Sequence, residues 1–160
     1  MSEGLTKHLI RRGGRQDIPF LRDMLRHAYH WHVSTLDDSE VPITRYVDNF
    51  GRPGDEAVIA LEAGHPIGAA WYRLFPANAP GWGFLGESCP ELTIAVVPSR
   101  REHGVGHELL DALLERAKAA GHESICLSVE QDSPAVHFYE RHGFVPVAVT
   151  RNAVTMKRDL

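Results

Sequence analysis

The sequence predicts an α/β fold, with a mixed and mostly antiparallel central sheet flanked by helices, on three observations. Short apolar runs that alternate like strands recur along the chain, as in SICLSV at residues 124–129. Two longer segments, residues 17–29 and 106–120, carry apolar side chains at helical spacing. In the second half a strand, a helix and a further strand follow one another over residues 91–129, which indicates a right-handed β-α-β unit.

The first half is expected to contain a strand, a helix, a brief second helix and a hairpin, at residues 7–12, 17–29, 44–49, and 57–61 with 67–74. Asp17 is a favourable helix cap, and Pro19 is tolerated in the first helical turn. The hairpin is predicted because two apolar runs flank a turn at residues 64–66.

The second half is expected to contain a strand, a helix, a strand, a helix and two closing strands, at residues 91–97, 106–120, 124–129, 134–143, 144–149 and 153–156. Gly121 is the expected end of the longer helix, since glycine favours the backbone conformation that terminates helices. Ser133 is the expected cap of the last helix, with Pro134 at its first position.

Composition predicts one domain spanning residues 1–160 and excludes several classes of protein. The net charge of −4 provides no basic field for nucleic acid. No apolar run approaches the length of about 18 residues typical of a membrane span. The two cysteines show no disulfide framework or zinc-ligand spacing. MSEGLTKHLIRRGG has charges where a signal peptide needs an apolar core, so the cytoplasm is the expected location.

Residues 96–110, VVPSRREHGVGHELL, have the sequence features of an anion-binding site. Glycines at 104 and 106 remove side chains that would keep a phosphate from the backbone, and the following helix offers free N–H groups. Arg100 and Arg101 add positive charge. A bare G-x-G also occurs in ordinary strand–helix turns. The pattern lacks the lysine of a Walker loop and the third glycine of a dinucleotide fingerprint, and HELLD at residues 107–111 is not the zinc motif HExxH.

Two motifs resemble those of the GNAT superfamily of N-acetyltransferases. Val96-Val97-Pro98 followed by R-E-H-G-V-G at residues 101–106 matches the cofactor motif of that family. Some thirty residues later, DSPAVHFYERHGF matches its A-x-x-x-Y-x-x-x-G-F run. The resemblance covers nearly the whole chain. It implies the GNAT fold, in which the sheet is splayed between its middle strands at a bulge, and acetyl-CoA as the cofactor.

The resemblance also implies a set of cofactor contacts. The main chain of residues 94–96 would pair with the pantetheine arm, and the amides of residues 101–106 would hold the pyrophosphate. The full set is Ile94, Ala95, Val96, Arg101, Glu102, His103, Gly104, Val105, Gly106, His107, Asp132, Ala135, Phe138 and Tyr139. The chain departs from the family at two positions. Asp132 stands where the family usually has asparagine, so a turn cap is about as compatible with it as a cofactor contact. Glu102 replaces a glycine that is common in the family.

Two catalytic residues are expected from the resemblance. Tyr139 would be the general acid that protonates the departing thiolate, since a phenol is protonated at neutral pH; the alternative is a core aromatic. Glu91 would take the proton of the attacking amine, directly or through water, with Glu87 as the second candidate. The alternative for Glu91 is a solvated strand end.

The cluster at residues 27–32, HAYHWH, leaves three readings open. His27, His30 and Trp31, together with Glu87, are expected to line the acceptor pocket, which the family builds from this region. A metal site that also uses His32 is the second reading, and a surface helix end with favourable histidines is the third. Trp71, Trp82 and Phe84 are expected in the core or over the pocket. Of the two thiols, Cys126 is expected to be packed and inert.

The predicted function is an acyl-CoA N-acyltransferase that moves an acetyl group from acetyl-CoA to a primary amine by direct attack in a ternary complex. No metal, nucleic acid or membrane partner is expected, and a homodimer is common in the family. The alternatives are a non-catalytic acyl-CoA-binding module on the same fold and a metal-dependent enzyme using His27, His30 and His32. The acceptor stays open among polyamines, amino acids, antibiotics and protein N-termini.

Overall fold

The computed structural model describes residues 8–29, 41–150 and 152–160. The predicted site residues His30 and Trp31, and His32 with them, lie outside the described residues. In chain order the strands and helices are β1 Leu9–Arg12, α1 Ile18–Ala28, β2 Glu56–Glu62, β3 His65–Arg73, β4 Glu91–Val96, α2 Val105–Ala119, β5 Ser124–Glu130, α3 Ala135–Arg141, β6 Val145–Val149 and β7 Ala153–Asp159. The segment predicted as a brief second helix forms a 3₁₀ turn at Ile43–Tyr46.

The strands form one sheet in the order β1-β2-β3-β4-β5-β7-β6. Every neighbouring pair is antiparallel except β4 and β5, which run parallel. The mixed, mostly antiparallel sheet expected from the sequence is therefore confirmed. No helix in the described ranges combines the length and apolar character that crossing a membrane requires.

The core has two parts, one on each face of the sheet. Successive side chains of a strand point to opposite faces, so in β3 Trp71 packs toward α1 while Tyr72 packs toward α2. The α1 side also contains Tyr46 and Phe50, and the other side is completed by α3. Because β3 is buried on both faces, its sequence is a continuous apolar run instead of an alternating one.

The three residues predicted to mark helix ends lie at helix ends, and one of them differs from expectation in its hydrogen bonds. The Ser133 hydroxyl accepts a hydrogen bond from the Ala135 N–H at 3.0 Å and so caps α3. Gly121 follows α2 with φ of +88°, as expected. Asp17 occupies the N-cap position of α1 as predicted, but its side chain makes no capping hydrogen bond to that helix. The Asp17 carboxylate instead accepts from the Gly14 N–H at 2.9 Å and from Arg11 at 2.7 Å.

Candidate active site

A cleft opens where β4 and β5 part. The two strands share one register pair, Glu91 with Cys126, and the Cys126 N–H donates to the Pro90 carbonyl at 2.9 Å. Beyond this apex the strands diverge and leave a cavity of about 350 Å³. β4 keeps its register with β3 from Glu91 to Val96, so the bulge expected at this point is absent from the β3–β4 pair.

The free edge of β4 presents main-chain groups to the cleft. The Val97 N–H donates to the Ile67 carbonyl of β3 at 2.8 Å, whereas the Pro90 carbonyl faces β5. Because main-chain direction alternates along an antiparallel strand, Ile94 and Val96 turn their N–H and C=O groups toward the cleft. Ala95 turns its main-chain N–H and C=O groups toward β3, and its side chain lines the cleft. An extended ligand could therefore pair with β4 as a missing strand would.

At the mouth of the cleft, the loop after β4 leads into the first turn of α2. Arg100 pairs with Glu62 at 2.8 Å, and the Arg101 Nε donates to the Val96 carbonyl at 3.0 Å. Glu102 and Gly104 have φ of +68° and +83°. The N–H groups of a helix's first turn have no partner inside the helix, so this bend offers an anion site made of main-chain donors.

The side chains of the same loop lie in different surroundings. Glu102, His103 and Gly104 are exposed, whereas Val105 is buried in the core. Arg101 and Gly106 line the cleft. His107 lies at the rim, where its Nδ1 is 2.8 Å from His142 Nε2 and its ring packs against Phe138, with the ring centroids 4.9 Å apart.

α3 covers the cleft with Ala135, Phe138 and Tyr139. Tyr139 is only 8% exposed, and burial raises its pKa well above the ordinary value of 10. The phenol therefore carries its proton throughout the neutral range. Asp132 is exposed and does not line the cleft, although its near neighbours Glu130 and Ser133 do.

Glu91 is buried at the apex on the α1 side of the sheet. Its Oε2 accepts hydrogen bonds from the Tyr46 hydroxyl and from the Gly83 N–H, the latter at 3.0 Å. Its Oε1 has no hydrogen-bond partner among the described residues. Burial raises the pKa of Glu91 to about 7 against these two hydrogen bonds, which lower it. Glu91 does not line the cleft itself.

Tyr29 and Thr93 lie between the cleft and Glu91. Both line the cleft, and the Tyr29 hydroxyl is 3.1 Å from Thr93 Oγ1. The Tyr29 and Tyr46 rings pack together, with centroids 5.0 Å apart. The Tyr29–Thr93 pair and the Tyr46–Glu91 pair therefore lie side by side between the cleft and the buried carboxylate.

Ser128 of β5 faces the cleft from the opposite strand. Its hydroxyl is buried and has no hydrogen-bond partner within the described part of the chain. A buried hydroxyl without a partner costs roughly 1–3 kcal/mol, so this group is suited to a ligand. The sequence signal for Ser128 and Thr93 was a polar residue at an inward position of an otherwise apolar strand.

A segment of the loop before β4, residues 81–84, closes the cleft apex. A Cβ on Gly83 would lie 2.9 Å from the Leu127 carbonyl carbon and oxygen, so only glycine allows this approach to β5. A Cβ on Gly81 would lie 2.5 Å from Glu91 Oε1. Trp82 packs on Tyr46 with centroids 5.4 Å apart, and Trp71 is buried in the core below.

The residues predicted for the acceptor pocket are separated in the structure. His27, at the end of α1, lines the cleft. Glu87 is exposed outside it, and its carboxylate accepts from the Ala77 N–H at 2.7 Å. Among residues 8–29, 41–150 and 152–160, no three histidine, cysteine or acidic side chains form a group that could hold a metal ion. His30 and His32 lie outside these ranges.

The fold and the cleft define an α/β protein with an open slot between two parted parallel strands, lined by main-chain donors at its mouth. Residues 18–144 match the model of the acetyltransferase (GNAT) family, and the chain belongs to that family. No curated protein matches the chain.

Solved acetyltransferase structures share this fold. Ribosomal-protein-alanine N-acetyltransferase from Brucella melitensis is 22% identical, with 95% of this chain and 99% of that chain covered and a TM-score of 0.71. A phosphinothricin acetyltransferase from Sinorhizobium meliloti, solved with acetyl-CoA, is 19% identical, with coverage of 97% and 89% and a TM-score of 0.69. The PaiA N-acetyltransferase from Thermoplasma acidophilum, solved with coenzyme A, is 17% identical, with coverage of 97% and 100% and a TM-score of 0.67.

Proposed function

We propose that the protein, acting as a single domain, transfers an acetyl group from acetyl-CoA to a primary amine by direct attack in a ternary complex. The observation that carries this proposal is the cleft between β4 and β5, which runs from the first turn of α2 to the buried Tyr139. Family membership and the acetyl-CoA and coenzyme A complexes of two structural neighbours support the choice of cofactor.

Acetyl-CoA would be held mainly by main-chain groups. The pyrophosphate lies on the first-turn N–H groups of α2, where helix geometry favours an anion. The pantetheine amides pair with Ile94 and Val96 along the free edge of β4. Arg101 already occupies the Val96 carbonyl, which leaves the Val96 N–H and both groups of Ile94 for the cofactor.

Tyr139 would act at the sulfur. The neutral amine attacks the thioester carbonyl, and a new C–N bond forms as the C–S bond breaks. The departing coenzyme A thiolate takes the proton of the Tyr139 phenol, which burial keeps protonated. General acid catalysis of this kind typically contributes about 10²–10⁴-fold in rate.

Glu91 would receive the proton of the amine through Tyr46, since the carboxylate is buried beside the cleft. A water held by the Tyr29–Thr93 pair would pass the amine proton to Tyr46, and the Tyr46 proton moves to Glu91. A pKa of about 7 suits a base that works near neutral pH. This assignment gives the buried carboxylate a function without exposing it to the acceptor.

A thiol-release assay with acetyl-CoA across a broad amine library, paired with calorimetric titration of acetyl-CoA, tests the proposal. We expect Tyr139→Phe to lower kcat about 10²-fold and to leave the acetyl-CoA Kd unchanged. Tyr72→Phe is the matched control, because Tyr72 is also buried but lies beside His122 outside the cleft. No binding at millimolar cofactor would reject the proposal. Binding without turnover for any amine would instead favour the non-catalytic module.

A further inference from the structure

Arg73, the last residue of β3, is a cation buried next to the proposed catalytic carboxylate. Its side chain is only 1% exposed, and the pairing of β3 with β4 makes it the register partner of Glu91. Register partners lie on the same face of a sheet, with their Cβ atoms about 4.5–5.5 Å apart. An arginine at this position is long enough to reach the Glu91 carboxylate, but the structure directs its guanidinium elsewhere.

Asp55 binds the guanidinium instead of Glu91. The Arg73 Nε donates to Asp55 Oδ1 at 3.1 Å and the Nη2 donates to Oδ2 at 2.6 Å, so the ion pair is bidentate. Both side chains are almost fully buried. Asp55 is itself fixed, because its Oδ2 also accepts from the N–H groups of Gly51 and Arg52, each at 3.0 Å. A bidentate pair of this kind sets the direction of the guanidinium as well as neutralising its charge.

The third guanidinium nitrogen, Nη1, holds the 3₁₀ turn that carries Tyr46. It donates to the Arg45 carbonyl at 3.0 Å and to the Asp48 carbonyl at 2.8 Å, and these two carbonyls flank Tyr46 in the chain. The Trp71 Nε1 donates to the Tyr46 carbonyl itself at 2.9 Å. Side chains near the end of β3 thus fix the main chain on both sides of Tyr46, whose hydroxyl donates to Glu91.

We propose that Arg73 and Asp55 are positioning residues for the proton transfer assigned to Glu91. Arg73 holds the turn that places the Tyr46 hydroxyl against the carboxylate, and Asp55 keeps the Arg73 charge away from that carboxylate. The inference rests on the proposed function and deepens it. Neither residue lines the cleft, so both act through Tyr46 and Glu91 and not on the substrates.

The role of Asp55 follows from the charges that act on Glu91. Burial raises the pKa of Glu91 to about 7, and the hydrogen bonds from Tyr46 and Gly83 lower it. A cation within about 4–6 Å of a carboxylate lowers the pKa of that carboxylate by about 1–3 units. Without the Asp55 charge, Arg73 would be free to pair with its register partner, and Glu91 would become a weaker base.

The test compares Asp55→Asn with Arg73→Met in pH–rate profiles of thiol release, using acetyl-CoA and the amine that reacts fastest. We expect the rising limb of the Asp55→Asn profile to move to lower pH by about one unit or more, because Arg73 then pairs with Glu91. The limb of Arg73→Met should move to higher pH, because Tyr46 is no longer held against the carboxylate. If the ion pair served only stability, neither variant would move the limb.

Two further variants separate this effect from a general loss of stability. Asp17→Asn breaks a different, partly buried ion pair, that with Arg11, and should leave the limb in place. Breaking a buried ion pair destabilises a protein, so a double variant, Asp55→Asn with Arg73→Met, replaces both charges by neutral side chains. It should lack the shift to lower pH and keep the shift to higher pH, and it decides the question if a single variant does not fold.

The pKa of the Glu91 carboxyl can also be followed by carbon NMR without any substrate. It should fall in Asp55→Asn and rise in Arg73→Met and in the double variant. An absence of thiol release with every amine would reject the proposed function, and the NMR titration would still decide whether Arg73 and Asp55 act on Glu91. A Glu91 pKa that is unchanged in the double variant, or that moves in the same direction in both single variants, would overturn the inference.

Discussion

The two sides of the cleft are built in different ways. On the side proposed for the cofactor, from β4 to α2, the groups offered to a ligand are main-chain N–H and C=O groups, and the loop side chains Glu102 and His103 are exposed. On the side proposed for the acceptor, the groups are buried side chains, with Tyr46 joined to Glu91 and Tyr29 joined to Thr93. A binding site made of main-chain groups keeps its donors and acceptors when a side chain is replaced. A network of buried side chains loses hydrogen bonds when any one member is replaced. The two sides should therefore respond differently to substitution.

The largest expected effect is on the acceptor side, in Glu91→Gln. We expect kcat to fall about 10²-fold with the acetyl-CoA Kd unchanged. In the wild type the carboxyl is protonated below pH about 7, so kcat should rise with pH through that value, and the variant should lose this rise. The measurement is a pH–rate profile. Glu87→Gln, in the exposed part of the preceding loop, is the matched control, and a larger loss there would exchange the roles of the two residues.

The same substitution has a stability signature. Burial raises the folded-state pKa of Glu91 from 4.5 to about 7, so the protonated carboxyl favours the folded protein. This contribution is fully present below pH 4.5 and is lost as the pH rises through about 7. Thermal denaturation at pH 5 and pH 8 should show that Glu91→Gln gains stability relative to the wild type as the pH rises. An equal difference at both pH values would contradict the shifted pKa.

An intermediate effect is expected for Tyr46→Phe. The hydroxyl donates to Glu91 and accepts from the Trp82 N–H at 2.7 Å, and its loss leaves both groups without this partner. The free energy of unfolding should fall by about 1–3 kcal/mol. The pKa of Glu91 should rise, because this hydrogen bond lowers it, and the rising limb of the pH–rate profile should move to higher pH. Tyr72→Phe should leave the rising limb of the profile in place. If Tyr46→Phe does not move that limb either, the proposed proton route through Tyr46 is wrong.

The smallest effect is expected on the cofactor side, from a pair of variants at Glu102. Its φ of +68° lies in the left-handed region, which costs a non-glycine residue roughly 1–2 kcal/mol. Glu102→Ala and Glu102→Gly both remove a carboxylate beside the proposed pyrophosphate site, and both should tighten the acetyl-CoA Kd about two- to fivefold, as expected for one charge in water. Only the glycine variant should also raise the Tm. A change in kcat in either variant would show that the two sides are not separate.

The fold was predictable from the sequence because its signals are local. Continuous apolar runs, strand alternation and helical spacing gave every strand and helix of the described residues, and Gly121 and Ser133 gave helix ends. Asp17 lies at the N-cap position of α1, but its carboxylate bonds to Arg11 and not to that helix, which a local pattern does not reveal. The absence of a bulge in β4 could not be predicted from the sequence either, because the register with β3 depends on strand pairing and not on composition.

The candidate site was predictable as segments but not as contacts. The spacing around Gly104 and Gly106 marked the loop proposed to hold the pyrophosphate, because main-chain sites leave a local pattern. The partners of Glu91 leave no local sequence pattern, because Tyr46 is 45 residues away in sequence and contacts Glu91 only in the folded protein. The unpartnered hydroxyl of Ser128 is likewise a property of packing.

The glycines at residues 81 and 83 define which parts of the loop before β4 are open to engineering. Any side chain at 83 would collide with the main chain of β5, and one at 81 would collide with Glu91 and Tyr46. Exposed positions in the same loop, such as Asn78 and Ser88, have no such constraint. A library intended to change the proposed amine preference should therefore diversify the loop at its exposed positions and keep both glycines fixed.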